Sequence, residues 1–171
     1  MLVFFISAAI VLTLQWLVIS FAAVRAFDSS LLAAVRILAG QMLRWVNRCQ
    51  RAVDRVSVIH SPNEEFHRFA AACASKRVAL ETILTAPHPL KYADIVATGE
   101  TLQAEIANLR EAEIAFVKAL REIRPTFEQA GQGLSETENI RARVNVTWTD
   151  YLALRKQREC AASRIPAHSP P

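Results

Sequence analysis

Residues 2–24 read LVFFISAAIVLTLQWLVISFAAV and hold no charged side chain. Fourteen of these positions are Leu, Ile, Val or Phe, each favourable by roughly 0.3 to 0.6 kcal/mol at a bilayer centre, so the sum outweighs Ser7, Thr13, Gln15 and Ser20. At about 1.5 Å per helical residue the run reaches roughly 35 Å, enough to cross a hydrocarbon core of about 30 Å with some tilt. A cleaved secretory signal would carry a positive n-region and an apolar core of about 7 to 15 residues. Here no Lys or Arg precedes Arg25 and the core is longer, so the stretch is expected to stay as a membrane anchor. The basic residues Arg25, Arg36, Arg44, Arg48, Arg51 and Arg55 all follow it. Positive residues remain on the cytoplasmic side, which predicts an outside N-terminus and a cytoplasmic body.

The rest of the chain reads as one helical domain. Of 171 residues only four are Gly, and about 135 remain once the anchor and a short tail are set aside, an ordinary domain size. The net charge is +4, and six of the twenty basic residues lie between Arg25 and Arg55. That bias belongs to the segment near the membrane and does not suggest a nucleic-acid-binding surface. Cys49, Cys73 and Cys160 are odd in number and follow no zinc or redox spacing, which fits small apolar residues in a reducing compartment.

After the anchor, Asp28-Ser29-Ser30 supplies capping residues before a new pattern, and a helix is expected to start there. Leu31, Val35, Leu38, Met42, Trp45, Cys49, Ala52 and Val56 recur at spacings of three and four on one stripe that ends near Ile59. The run either continues the anchor or breaks slightly at Ser29-Ser30. Ser61 as N-cap, Pro62 at the first position and Glu64 at the third make a capping box for a second helix. Its stripe is Phe66, Phe69, Cys73, Leu80 and Leu84, with Lys76 and Arg77 interrupting, so these must snorkel or lie at the bundle edge. Pro87-His88-Pro89 marks a loop. A third helix is expected from Leu90 to about Ile123 on Leu102, Ile106, Leu109, Phe116, Leu120 and Ile123, weakened at Gly99 so that its start could fall near Thr98 or Thr101. The fourth runs from Thr126 to about Glu159 on Phe127, Leu134, Val144, Trp148, Tyr151 and Leu154, softest at Gly131-Gln132-Gly133. The expected architecture is all-α, an anchor over 1–24 followed by an antiparallel four-helix bundle over 25–160, with a disordered tail over 161–171.

The last helix resembles a known family. Phe127, then Leu134-Ser135-Glu136-Thr137-Glu138-Asn139, Ala142, Trp148 and Asp150 resemble the C-terminal helix of the LemA family, which carries a Phe, an L-x-E-T-E-N run and an aromatic-Asn-Asp cluster. Trp148-Thr149-Asp150 stands where that family has Tyr-Asn-Asp, and Ile140-Arg141 reverses its Arg-Ile. Pro62-Asn63 resembles the opening of its second helix, with Glu64-Glu65 replacing Leu-Val. Divergent membership implies a single-pass protein of the bacterial cytoplasmic membrane, with its N-terminus outside and a helical bundle in the cytoplasm. It brings no established reaction and no catalytic residue.

The residues themselves offer little chemistry. Glu64 and His67 form one Glu-x-x-His pair, the spacing used by di-iron bundles, but those need a second copy and two further inward Glu, and none is found. Capping accounts for Glu64. A metal-binding bundle is therefore the second reading, behind a non-enzymatic interaction or scaffold protein. Cys73 lies in an Ala-rich stretch that raises a thiol's pKa, and the chain contains no glycine-rich phosphate loop. No cofactor, nucleic acid or small-molecule substrate is expected. Glu136 and Glu138 lie about 200° apart on a helix, so at least one is solvated. Arg44, Arg48, Arg51 and Arg55 share one face. On a straight helix Arg44 stands about 28 Å beyond Arg25, outside the Debye length of about 8 Å, so the stripe is a solvated face or a surface for a protein partner unless the chain bends.

Overall fold

One helix, α1, carries both the apolar lead segment and the first amphipathic stripe, running Leu2–Ile59 without interruption. The computed structural model describes residues 2–59, 64–86, 91–123 and 128–164. Three more helices follow, α2 Glu64–Thr85, α3 Tyr92–Ile123 and α4 Glu128–Ser163, and the described residues contain no strand.

The helix start expected at Asp28-Ser29-Ser30 does not occur. Two of the three capping candidates have other partners: Ser30 Oγ donates back to the Ala26 carbonyl at 3.0 Å, and the Asp28 carboxylate accepts from Arg158 at 3.0 Å. A serine bonded to the carbonyl four residues back sits inside a helix and does not cap one, at a slight cost in stability. Along α1 the environment changes abruptly. No residue from Ile10 to Ser30 is buried, and Val18 and Ile19 stand 68% and 67% exposed. From Leu31 onward the stripe of Val35, Leu38, Met42, Trp45 and Cys49 is almost wholly buried. α1 thus contains one helix segment long and apolar enough to cross a membrane, and its other half supplies about half of the buried core of the domain.

Backbone contacts join α1 to each of the other helices and α2 to α3, whereas α3 and α4 meet through long side chains. On α2, Phe66 and Phe69 pack on Phe116 of α3 at 5.1 and 4.6 Å between ring centroids. Each fully buried Leu or Phe contributes about 1.5 to 3 kcal/mol, which is why the stripes decide the packing. Lys76, which interrupts the α2 stripe, is 15% exposed and ion-paired with Glu105 of α3. Arg77 stays exposed beside Glu81.

Two expectations about weak points are corrected. Gly99 does not delay α3, which starts at Tyr92; it lies buried against the phenol end of Tyr151, and a Cβ there would force one of the two to shift. α4 passes through residues 131–133 unbroken and reaches Ser163, so residues 161–163, expected in a disordered tail, are helical. The capping box at Ser61-Pro62, the Pro87-His88-Pro89 loop, Phe127 and the tail beyond Arg164 lie outside the described residues.

Candidate functional site

Glu113 is the most buried acidic side chain described, 2% exposed in the middle of α3. It occupies the position that the stripe Leu102, Ile106, Leu109, Phe116 leaves open at spacings of four and three, so helix periodicity drives it inward whatever its charge. Two partners make this tolerable. Trp45 Nε1 on α1 donates to Glu113 Oε2 at 3.2 Å, and Arg141 on α4 approaches the same oxygen at 3.5 Å. The other oxygen, Oε1, is buried without a hydrogen bond among the described residues. One carboxylate therefore ties three helices together.

Its charge reaches the neighbouring thiols. Burial pushes Cys73 up to about 11, with Glu113 adding and Lys76 opposing. For Cys49 burial acts first and Glu113 second, both raising it well above the usual thiol range. Neither is a nucleophile at neutral pH, because the thiolate is the reactive form.

Beside this cluster, the separation of α3 from α4 leaves a groove. One section of about 280 Å³ is lined by Trp45, Ile106, Arg110, Glu138, Arg141 and Asn145, and a section of about 420 Å³ continues along Gln103, Glu111, Ile114 and Trp148. Ile106, Arg110 and Asn145 belong to both, so the two sections are one feature. The first section is mixed, with Arg110, Glu138, Arg141 and Asn145 around Trp45 and Ile106, and the second is mainly apolar. Ile114, at the edge, is 58% exposed.

A second polar cluster closes the bundle at the end nearest the exposed half of α1. Arg158 holds Asp28 and lies over the Tyr92 ring, 3.6 Å from its centroid. Tyr92 donates to Glu159 at 3.1 Å, Arg155 donates to the same carboxylate at 3.1 Å, and Arg155 also reaches Glu100 at 3.3 Å. The Arg155 hydrogen bond, followed by that of Tyr92, holds the Glu159 carboxyl below its ordinary range. Tyr92 is raised, by burial first and then by its bond to Glu159.

The sequence-predicted residues fall as follows. Arg44, Arg51 and Arg55 are exposed and Arg48 is half-buried, with Arg51 Nε donating to the Asn47 carbonyl at 3.3 Å. Of the motif on α4, Thr137 is buried, Glu138 is exposed at the groove, Asn139 and Asp150 are exposed, and Trp148 stacks on Tyr151 at 5.1 Å. Leu134 and Glu136 lie within α4, their side chains outside the description. Glu64 pairs with Arg68 at 2.5 Å, His67 is exposed, and no three potential ligands converge among the described residues. Sequence reasoning missed Glu113 and Arg141. Their signal was register: both stand where a stripe calls for an apolar residue.

The fold defines an all-helical protein with one helix apolar enough to span a membrane. Comparison with known proteins finds no family model, no curated protein and no solved structure that matches the chain.

Proposed function

We propose that this chain is a non-enzymatic, membrane-anchored scaffold, a divergent member of LemA type, whose four helices form an antiparallel bundle in the bacterial cytoplasm. The observation that carries the reading is the division of α1 at Leu31: the described side chains from Ile10 to Ala22 are mostly apolar and none is buried, whereas the second half supplies about half of the core residues. An apolar surface of that length without a protein partner is suited to lipid. Antiparallel packing is supported by paired positions. Asp28 meets Arg158 and Gln41 meets Thr147, while Tyr92 meets Glu159 and Glu113 meets Arg141. In each set the numbers rise on one helix as they fall on the other. The excess of Arg after the span argues for a cytoplasmic body.

The groove between α3 and α4 is the surface offered to a partner. Its apolar section, along Ile106, Ile114 and Trp148 and flanked by charged residues, is suited to the apolar face of an amphipathic helix. A photo-crosslinking amino acid placed at Ile114 in the full chain, in native membranes, tests this. Adducts to a second protein species are expected from Ile114 and not from Val78, which is exposed on α2. Adducts equal from both positions, or none from Ile114, would remove the groove from the proposal; an adduct of exactly twice the chain mass would make the occupant a second copy.

A further inference from the structure

We infer that the end of the bundle nearest the anchor sits on the bilayer surface, where Arg25, Lys91, Lys156 and Arg164 bind the phosphate groups of anionic lipids. This rests on the anchoring proposed above. The height of each residue follows from helix geometry. Asp28 lies three residues past Arg25, about 4.5 Å along α1. The 3.0 Å bond from Arg158 fixes α4 against α1 at that height, and the Gln41 to Thr147 contact sets the direction of travel. Six residues further along α4, Arg164 has moved about 9 Å back toward the anchor, to about 4.5 Å on the lipid side of Arg25. Lys156 stands about 7.5 Å on the other side. At the same height Ala161 and Ala162 on α4 and Ala23, Val24 and Phe27 on α1 are half-buried, as expected where two helices lie together. Tyr92, under the Arg158 guanidinium, brings the start of α3 and with it Lys91 to this end.

Charge pairing then separates these cations from Arg155 and Arg158 at the same end, and height separates them from the exposed cations further along the bundle. The acidic groups here are engaged: Asp28 by Arg158, Glu159 by Arg155 and Tyr92, and Asp94 by the Lys91 backbone N–H at 3.3 Å. Among the described residues Arg25, Lys91, Lys156 and Arg164 are exposed and form no ion pair. All lie within about one Debye length of the surface, about 8 Å, where attraction to anionic headgroups survives physiological salt. Arg44, about 28 Å away along α1, does not. The Arg44 to Arg55 stripe is thus excluded from the lipid contact, and a different set of cations takes its place.

The test uses the full chain reconstituted in vesicles of phosphatidylcholine containing trace spin-labelled phosphatidylglycerol or spin-labelled phosphatidylcholine. The motionally restricted fraction of labelled lipid is read by electron paramagnetic resonance. Several-fold selectivity for phosphatidylglycerol is expected, reduced by salt and largely lost in K91Q/K156Q/R164Q, where Arg25 alone of the four remains, but kept in R44Q/R51Q. Equal restriction of both lipids overturns the inference, as does selectivity that survives the triple variant or falls in the double one. Carbonate extraction of the same vesicles separates the two readings: protein released from the bilayer defeats anchoring itself, whereas retained protein without selectivity defeats only the lipid contact.

Discussion

Gly99 lies under the ring of Tyr151, so close that a Cβ built on it would stand 2.4 Å from the phenolic oxygen and 2.6 Å from the carbon that bears it. Tyr151 is buried and stacked on Trp148, which leaves the ring little room to withdraw. Overpacking costs about 1 to 3 kcal/mol, and the helix-propensity gain of about 1 kcal/mol for replacing Gly by Ala offsets part of it. Gly40 on α1 is the natural comparison, since a Cβ there meets nothing within 4 Å. Opposite signs are therefore expected: Gly99→Ala should lower the thermal midpoint of the detergent-solubilised full chain by a few degrees, and Gly40→Ala should raise it. Circular dichroism melts of the two variants check this. Stabilisation by Gly99→Ala would show that Tyr151 can move.

Removal of the Glu113 carboxylate should be costly, and the cost should depend on what is left behind. Glu113→Ala strands Arg141, which is 29% exposed at its side chain, and the Trp45 N–H, which has no other acceptor among the described residues. Breaking a buried pair costs about 3 to 5 kcal/mol, and the partial exposure of Arg141 places this case at the low end. The double variant Glu113→Leu with Arg141→Leu restores an apolar stripe on both helices and should recover part of the loss. Chemical denaturation of the four members of the cycle gives the coupling. Strict additivity would mean that the two charges do not interact.

That pair also marks how far the sequence could be read. Periodicity of 3.6 is a backbone property, so the stripes on α1, α2, α3 and α4 were legible, and with them the four helices and the buried Trp45, Leu102, Phe116 and Tyr151. The same geometry hid Glu113, because a search for apolar repeats passes over a carboxylate in the repeat. Continuity of α1 was ambiguous for a local reason. Asp28 and Ser30 suit a helix N-terminus equally well, and what decides between cap and interior is Arg158, 130 residues later. Lateral partners at such separations carry no local signature. The groove belongs to this class, since it arises from how α3 and α4 are spaced.

Alkaline pH should destabilise the fold through the buried thiols. Cys73 has its ordinary value of 9.0 when unfolded and about 11 when folded, so above pH 9 the unfolded chain binds fewer protons. Its contribution is fully present below about pH 9 and is lost as pH rises toward about 11. Cys49, Tyr92 and Tyr151 are raised for the same leading reason, burial, and act in the same direction. Urea midpoints measured across this window should fall, less steeply in Cys73→Ser. At pH 7.5 a maleimide should modify the exposed Cys160 alone in the folded chain, and all three thiols after denaturation. Fast labelling of a second thiol without denaturant would contradict the burial of Cys49 and Cys73.

The placement of every charged group relative to the membrane depends on α1 being a single rod. Spin labels at Val18 and Arg44 are separated by 26 helical residues, which corresponds to about 39 Å. A narrow distance distribution near that value is expected from pulsed dipolar spectroscopy of the full chain in lipid nanodiscs. Ser30→Pro removes a backbone donor inside the helix and clashes with the Ala26 carbonyl that Ser30 Oγ now bonds, at about 3 kcal/mol. Its distribution should broaden and shorten, because the bundle would be free to tilt on the anchor. A broad distribution in the unsubstituted chain would mean that the helix bends at Ser29-Ser30. Bending there would bring Arg44 and Arg51 toward the headgroups, so the same measurement decides which set of arginines can reach lipid.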